Sequence, residues 1–196
     1  ENLPLALSVA TQIDETRLKM NNNFWLALRE RVTANSPGWS VSTTEDRNAT
    51  ENLVGLSMQP ETAQKLFLRP VLEQQYLGNT PRIYYGLMWS ATPTPEQKRL
   101  SAINTLHNSF QEAGFKNNES FLAWQWTPYY PRSMDFLLRF STTTDALLDE
   151  AAHLIQNLLT MHQNALHTAN IALRESSRNA KVSVVSLDNL RVNLER

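Results

Sequence analysis

Imidazole binds metals and moves protons near neutral pH, so His107, His153, His162 and His167 are the first residues to test for chemistry. The last three share one helical stretch, at spacings of nine and five. A helix brings two side chains to one ion at a spacing of four, so these three do not gather round a metal. The carboxylate pairs Glu45-Asp46 and Asp149-Glu150 are adjacent residues. Neighbours on a strand or helix point apart, which makes them solvated charges rather than an acid–base couple. Gly38, Gly55, Gly78, Gly86 and Gly114 never cluster, so no loop lets its backbone cradle a phosphate. The chain has 0 cysteines and no Gly-x-Ser-x-Gly elbow. Thiol nucleophiles, iron–sulfur clusters, cysteine zinc sites and the hydrolase elbow are thereby excluded.

Glu96-Gln97-Lys98 needs separate treatment. An acidic residue two positions before a lysine, on a strand, can hold Mg²⁺ while the lysine orients the attacking water. Here the triplet follows Thr94-Pro95, where Thr94 can cap a helix, Pro95 opens it and Gln97 closes a capping box. It reads as a helix start, and no catalytic residue is assigned. The remaining chemistry is aromatic. Trp89, Trp124, Trp126, Tyr129 and Tyr130 lie near Arg82, Lys116 and Arg132, and rings interleaved with cations can stack bases and hold phosphates. Alternating tryptophans on a strand are first of all core. The loop Thr127 to Arg132 is not, and Lys116, Tyr129, Tyr130, Arg132 and Arg139 are the candidate nucleic-acid contacts, for DNA or RNA. Lys116 and the loop lie at opposite ends of a six-residue strand roughly 20 Å long, a spacing suited to a backbone-tracking groove.

The elements that must position these residues follow from the patterning. The 196 residues carry 18 Lys and Arg against 19 Asp and Glu, a formal charge of −1, so no global field draws nucleic acid in. That length suits one domain. No apolar run reaches the roughly 18 residues of a membrane span. Together with the absence of cysteine and of a signal peptide, this gives the expectation of a soluble, cytoplasmic protein. Leu5 to Val32 is helical, with a break expected near Asn21-Asn22-Asn23 and a second helix over Asn23 to Thr33. Ser36-Pro37-Gly38 ends it. Trp39 to Thr43 and Leu53 to Met58 alternate as strands around a turn at Asp46-Arg47-Asn48. Pro60 to Lys65 suits a helix start. Arg82 to Ser90 is a buried strand, and a helix then runs from Thr94 to about Ala113, stopped by Gly114. Phe121 to Trp126 is a strand expected to place Leu122, Trp124 and Trp126 on one face. Asp135 to Phe140 makes a helical turn or two.

Thr144, as a cap, opens the strongest helix, which reaches about Glu175 with a broad apolar face. Ser176 to Asn179 is a hinge, and Val182 to Leu187 is a late strand in search of an edge. The reading is one α+β domain over residues 1–175 with a helical segment 1–35. A mainly antiparallel sheet packs against helices, the last of them long, and a tail 176–196 follows, suited to an extra edge strand. The apolar face of the long helix also makes it a candidate surface for homo-oligomerisation.

Four segments in this order, Asn22 to Val32 (NNFWLALRERV), Arg82 to Ser90 (RIYYGLMWS), Gly114 to Tyr129 (GFKNNESFLAWQWTPY) and Asp135 to Phe140 (DFLLRF), resemble the C-terminal part of bacterial PD-(D/E)xK nuclease-superfamily proteins found near mobile elements and phage-defence genes. The resemblance spans about Asn21 to Glu175. It implies an accessory domain that binds nucleic acid or a partner, with no complete catalytic site of its own. The nuclease strands and their Mg²⁺ would belong upstream of Asn21, so no cofactor is expected in this chain.

Overall fold

The computed structural model describes residues 2–62, 64–75 and 80–177. Chain order is α1 (Leu3–Ala34), β1 (Trp39–Asp46), β2 (Ala49–Pro60), β3 (Leu68–Gln74), β4 (Ile83–Trp89), α2 (Pro95–Lys98), α3 (Ser101–Glu112), β5 (Phe121–Trp126), α4 (Met134–Thr142) and α5 (Thr144–Ser176). The five strands form one antiparallel sheet in which spatial order equals chain order. This is the expected α+β architecture with a long C-terminal helix. No helix among the described residues is long and apolar enough to cross a membrane. The late strand expected over Val182 to Leu187, and with it most of the tail, lies outside the described residues.

Helices cover one face of the sheet. Phe24, Trp25 and Leu28 of α1, Phe136 of α4 and Leu147, Ala151 and Ile155 of α5 pack on Leu56, Met58, Leu72 and Ile83. Ile103, Leu106 and Phe110 of α3 and Leu158, Leu166, Ala169 and Leu173 of α5 pack on Leu68, Leu87 and Trp89. A third cluster on the other face, Val71, Tyr84, Met88, Phe121 and Trp124 with Trp126 against it, is built from strand residues.

Several expectations are corrected. The break at Asn21-Asn22-Asn23 is absent, and α1 is continuous. The asparagines that would compete with helix hydrogen bonds have partners outside it instead. Asn21 Nδ2 donates to Leu53 O (3.0 Å), Asn22 Nδ2 donates to Glu51 O (2.8 Å), and the Leu53 amide donates to Asn22 Oδ1 (2.9 Å), so the run docks α1 on β2. No helix starts at Pro60. It ends β2, and the central strand β3 follows at Leu68. The capping box at Thr94 and Gln97 is present, but the helix it opens stops at Lys98 and restarts at Ser101. Gly114, at φ 85°, terminates α3. Thr144 does not cap α5; its hydroxyl donates to Phe140 O, and Thr143 occupies the cap position. α5 runs from Thr144 to Ser176, as expected for a helix reaching about Glu175, and of the expected hinge Ser176 to Asn179 the last two residues lie outside the described residues.

α1 divides into two unequal halves. From Asn21 onward it is packed, whereas residues 2–16 are exposed throughout, including Leu3, Leu5, Leu7, Val9 and Ile13. On α5 the apolar face is largely buried within the chain, with Met161 its fully exposed exception.

Candidate nucleic-acid interface

The edge strand β5 and its neighbour β4 build the candidate site. Both are rich in aromatic and aliphatic residues, which suits a pleated surface buried on both sides. The pairing sets Tyr84 opposite Trp126 and Gly86 opposite Trp124, with a register shift between Leu87 and Met88. Leu87 pairs Ala123 while Met88 pairs Phe121, so Leu122 is the extra residue of a bulge. The bulge changes which side chains share a face. Phe121 joins Trp124 and Trp126, while Leu122 packs with Leu87 on the helix-covered side. This corrects the simple alternation expected from sequence. Gly86 is required here, because a Cβ on it would lie 2.0 Å from Ala123 O and 2.7 Å from the Trp124 Cα.

The indoles of Trp124 and Trp126 meet edge-to-face, with centroids 5.3 Å apart. Arg82 places its guanidinium carbon 5.6 Å from the Trp126 ring centroid and 5.5 Å from that of Tyr130, and its Nε donates to Thr127 O at 2.7 Å. Lys116 Nζ stands 5.8 Å from the Trp124 centroid. The result is a continuous row, Lys116, Trp124, Trp126, Arg82, Tyr130, in which two cations are interleaved with three rings. Trp124 is buried and Trp126 half-buried, while Lys116 and Tyr130 are exposed. Lys116 exchanges both backbone hydrogen bonds with Trp124, at 2.9 and 2.8 Å. It therefore stands beside the middle of β5, about 7 Å along the strand from Trp126, and not at the remote end expected from sequence.

The five sequence-derived residues thus divide. Lys116 and Tyr130 belong to the row. Arg132 lies half-buried just before α4 with its Nε buried and without a hydrogen-bond partner. Among the described residues Arg82, Lys116 and Arg132 enter no ion pair. Tyr129 and Arg139 are committed elsewhere. Arg139 Nη2 donates to both Glu150 oxygens (2.9 and 2.8 Å), and the Tyr129 hydroxyl donates to Glu150 Oε2 (3.1 Å). The Arg139 guanidinium holds the Glu150 carboxyl below its usual range. Burial first, and the bond to Glu150 second, push the Tyr129 phenol up to about 12. These two side chains tie the segment before α4, and α4 itself, to α5. Arg82, Trp124 and Trp126 are the members that sequence reading left out of the site. Trp124 and Trp126 share a face as alternation along β5 predicts, whereas Arg82 joins them through the β4–β5 register, which that alternation does not reveal.

Among the described residues no three His, Asp or Glu side chains come together to hold a metal ion. Glu96 belongs to the capped first turn of α2, and its carboxyl lies below the ordinary value through backbone and Thr94 hydrogen bonds. The chain matches no family model, no curated protein and no solved structure.

Proposed function

We propose that this chain is the accessory domain of a nuclease-like bacterial protein acting in the cytoplasm, of the kind associated with mobile elements or phage defence, and that it binds single-stranded nucleic acid along β5. The observation that carries the binding reading is the Arg82 guanidinium between Trp126 and Tyr130, with Lys116 over Trp124. Aromatic faces accept bases of any sequence, here those of Trp126 and Tyr130, and the interleaved cations neutralise phosphates. The resemblance to the PD-(D/E)xK superfamily supplies the nuclease context. The Mg²⁺ of such an enzyme would belong to a catalytic core upstream.

The test is a fluorescence titration of a short single strand at two salt concentrations. Each engaged cation contributes about −0.7 to the slope of log K against log salt. Arg82→Ala/Lys116→Ala is expected to weaken binding and flatten that slope by about 1.4. Tyr130→Ala removes a stacking ring worth ~1–3 kcal/mol, while Arg139→Ala leaves affinity unchanged. Wild-type binding that neither the double variant nor Tyr130→Ala alters would place the interface elsewhere. Cleavage of DNA or RNA by this chain with Mg²⁺ or Mn²⁺ would overturn the accessory reading.

A second reading, self-association, rests on α1 rather than on α5. Leu3, Leu5, Leu7, Val9 and Ile13 are exposed on one helix, whereas the apolar face of α5 is largely spent inside the domain. A strict monomer in sedimentation at high micromolar concentration would dispose of it.

A further inference from the structure

A cleft of about 670 Å³ runs along α5, and none of the residues of the β5 row lines it. One wall is α5 from Leu159 to Arg174, about 22 Å of helix at 1.5 Å per residue. The other is the turn between α1 and β1, continued by the segment after β2. Trp39, Leu159 and Leu166 give it an apolar floor, and Asn35, Gln163 and Asn164 put amides on its sides.

Ser36 and Arg174 both line the cleft. The Ser36 Oγ and the Arg174 Nε are buried without a hydrogen-bond partner. What the cleft presents to an occupant is its charge order. The Glu61 amide donates to Gly38 O, which fixes Glu61 at the α1–β1 end. Gln64 Nε2 donates to Asn170 O further along, and Arg174 lies a helical turn beyond Asn170. The cleft is therefore acidic at one end and basic at the other, and among the described residues Arg174 enters no ion pair.

The geometry points to an extended peptide of about six residues, carrying a basic group at the Glu61 end and a carboxylate at the Arg174 end. Six residues of extended chain span about 20 Å, the length of the α5 wall. Side-chain amides both donate and accept, as a peptide backbone does. A nucleic-acid strand would need cations along its whole length, and Glu61 opposes it. This site is independent of the β5 row.

The test uses three fluorescein-labelled heptapeptide sets with randomised centres: lysine first and aspartate last, the reverse, or uncharged ends. One of the two charged sets is expected to bind at least tenfold tighter than the other two sets. Glu61→Lys/Arg174→Glu should exchange the preference of the charged sets, a result that loss of folding cannot imitate. Arg174→Gln should weaken the preferred set about tenfold with an unchanged circular dichroism melt. The Trp39 indole N–H resonance should shift on binding. Equal binding of all sets, no binding at millimolar peptide, displacement by a single-stranded oligonucleotide, or indifference to both variants would each overturn the assignment.

Discussion

Tyr129 sits where a phenol loses a proton only with difficulty, half-buried beside the Glu150 carboxylate that accepts its hydrogen bond. Its folded value, about 12, lies above the ordinary 10. The raised value means that its contribution to stability is complete below pH 10 and is lost as pH rises towards 12. A tyrosinate absorbance titration of Tyr129→Phe should lose one late-ionising group relative to wild type. His162 runs the opposite way. Its ring stacks on Phe110 at 4.0 Å, and burial pushes the imidazole below its usual 6.5. The neutral form is the one the fold accepts. The associated stability is present above pH 6.5 and is lost as pH falls through the lower folded value. His162→Phe should flatten that part of the stability profile, as read from urea midpoints of both proteins between pH 7 and 5. An unchanged slope would assign the acid sensitivity to other groups.

At the level of elements, the β4–β5 pair depends on the missing Cβ of Gly86. Gly86→Ala would force Ala123 and Trp124 away from β4. A destabilisation of about 1–3 kcal/mol is expected from such overpacking, with the Trp124–Trp126 contact disturbed in the near-ultraviolet spectrum. The elements differ in how far their sequences announce them. β4 and β5 declare themselves through aromatic density, and α5 through its apolar stripe. β3 is hidden, because Pro70, Arg69 and Glu73 argue against a strand, yet it occupies the centre of the sheet. Its Glu73 carboxylate is buried and accepts the Tyr84 hydroxyl at 2.8 Å, a pairing that exists only once β3 and β4 are in register. The asparagine run in α1 misleads for the same reason. Its side chains serve β2, which is distant in sequence. The candidate row was half legible: Lys116 and Tyr130 stand out by type, but Arg82 enters only through strand pairing.

Over the whole molecule, the first fourteen residues of α1 contribute exposed surface and no core. Deleting residues 2–15 should leave the thermal midpoint within a few degrees of wild type, since the packed half begins near Asn21. A large drop would mean that the projecting turns find a partner in solution. The chain-order sheet has a kinetic meaning as well. Each strand pairs with the one before it, so the sheet can assemble hairpin by hairpin, with only small loop closures at most steps. α1 and α5 are different. Arg31 reaches Asp145 and Asp149, 114 and 118 residues away, so that clasp forms only after the intervening chain is in place. In a chevron analysis Gly86→Ala should then slow refolding, while Arg31→Ala should act on the unfolding limb alone. The clasp to α5 is thus the last contact of α1 to close, and a nascent chain would carry α1 docked on β2 through Asn21 and Asn22 but unclasped until α5 had been synthesised.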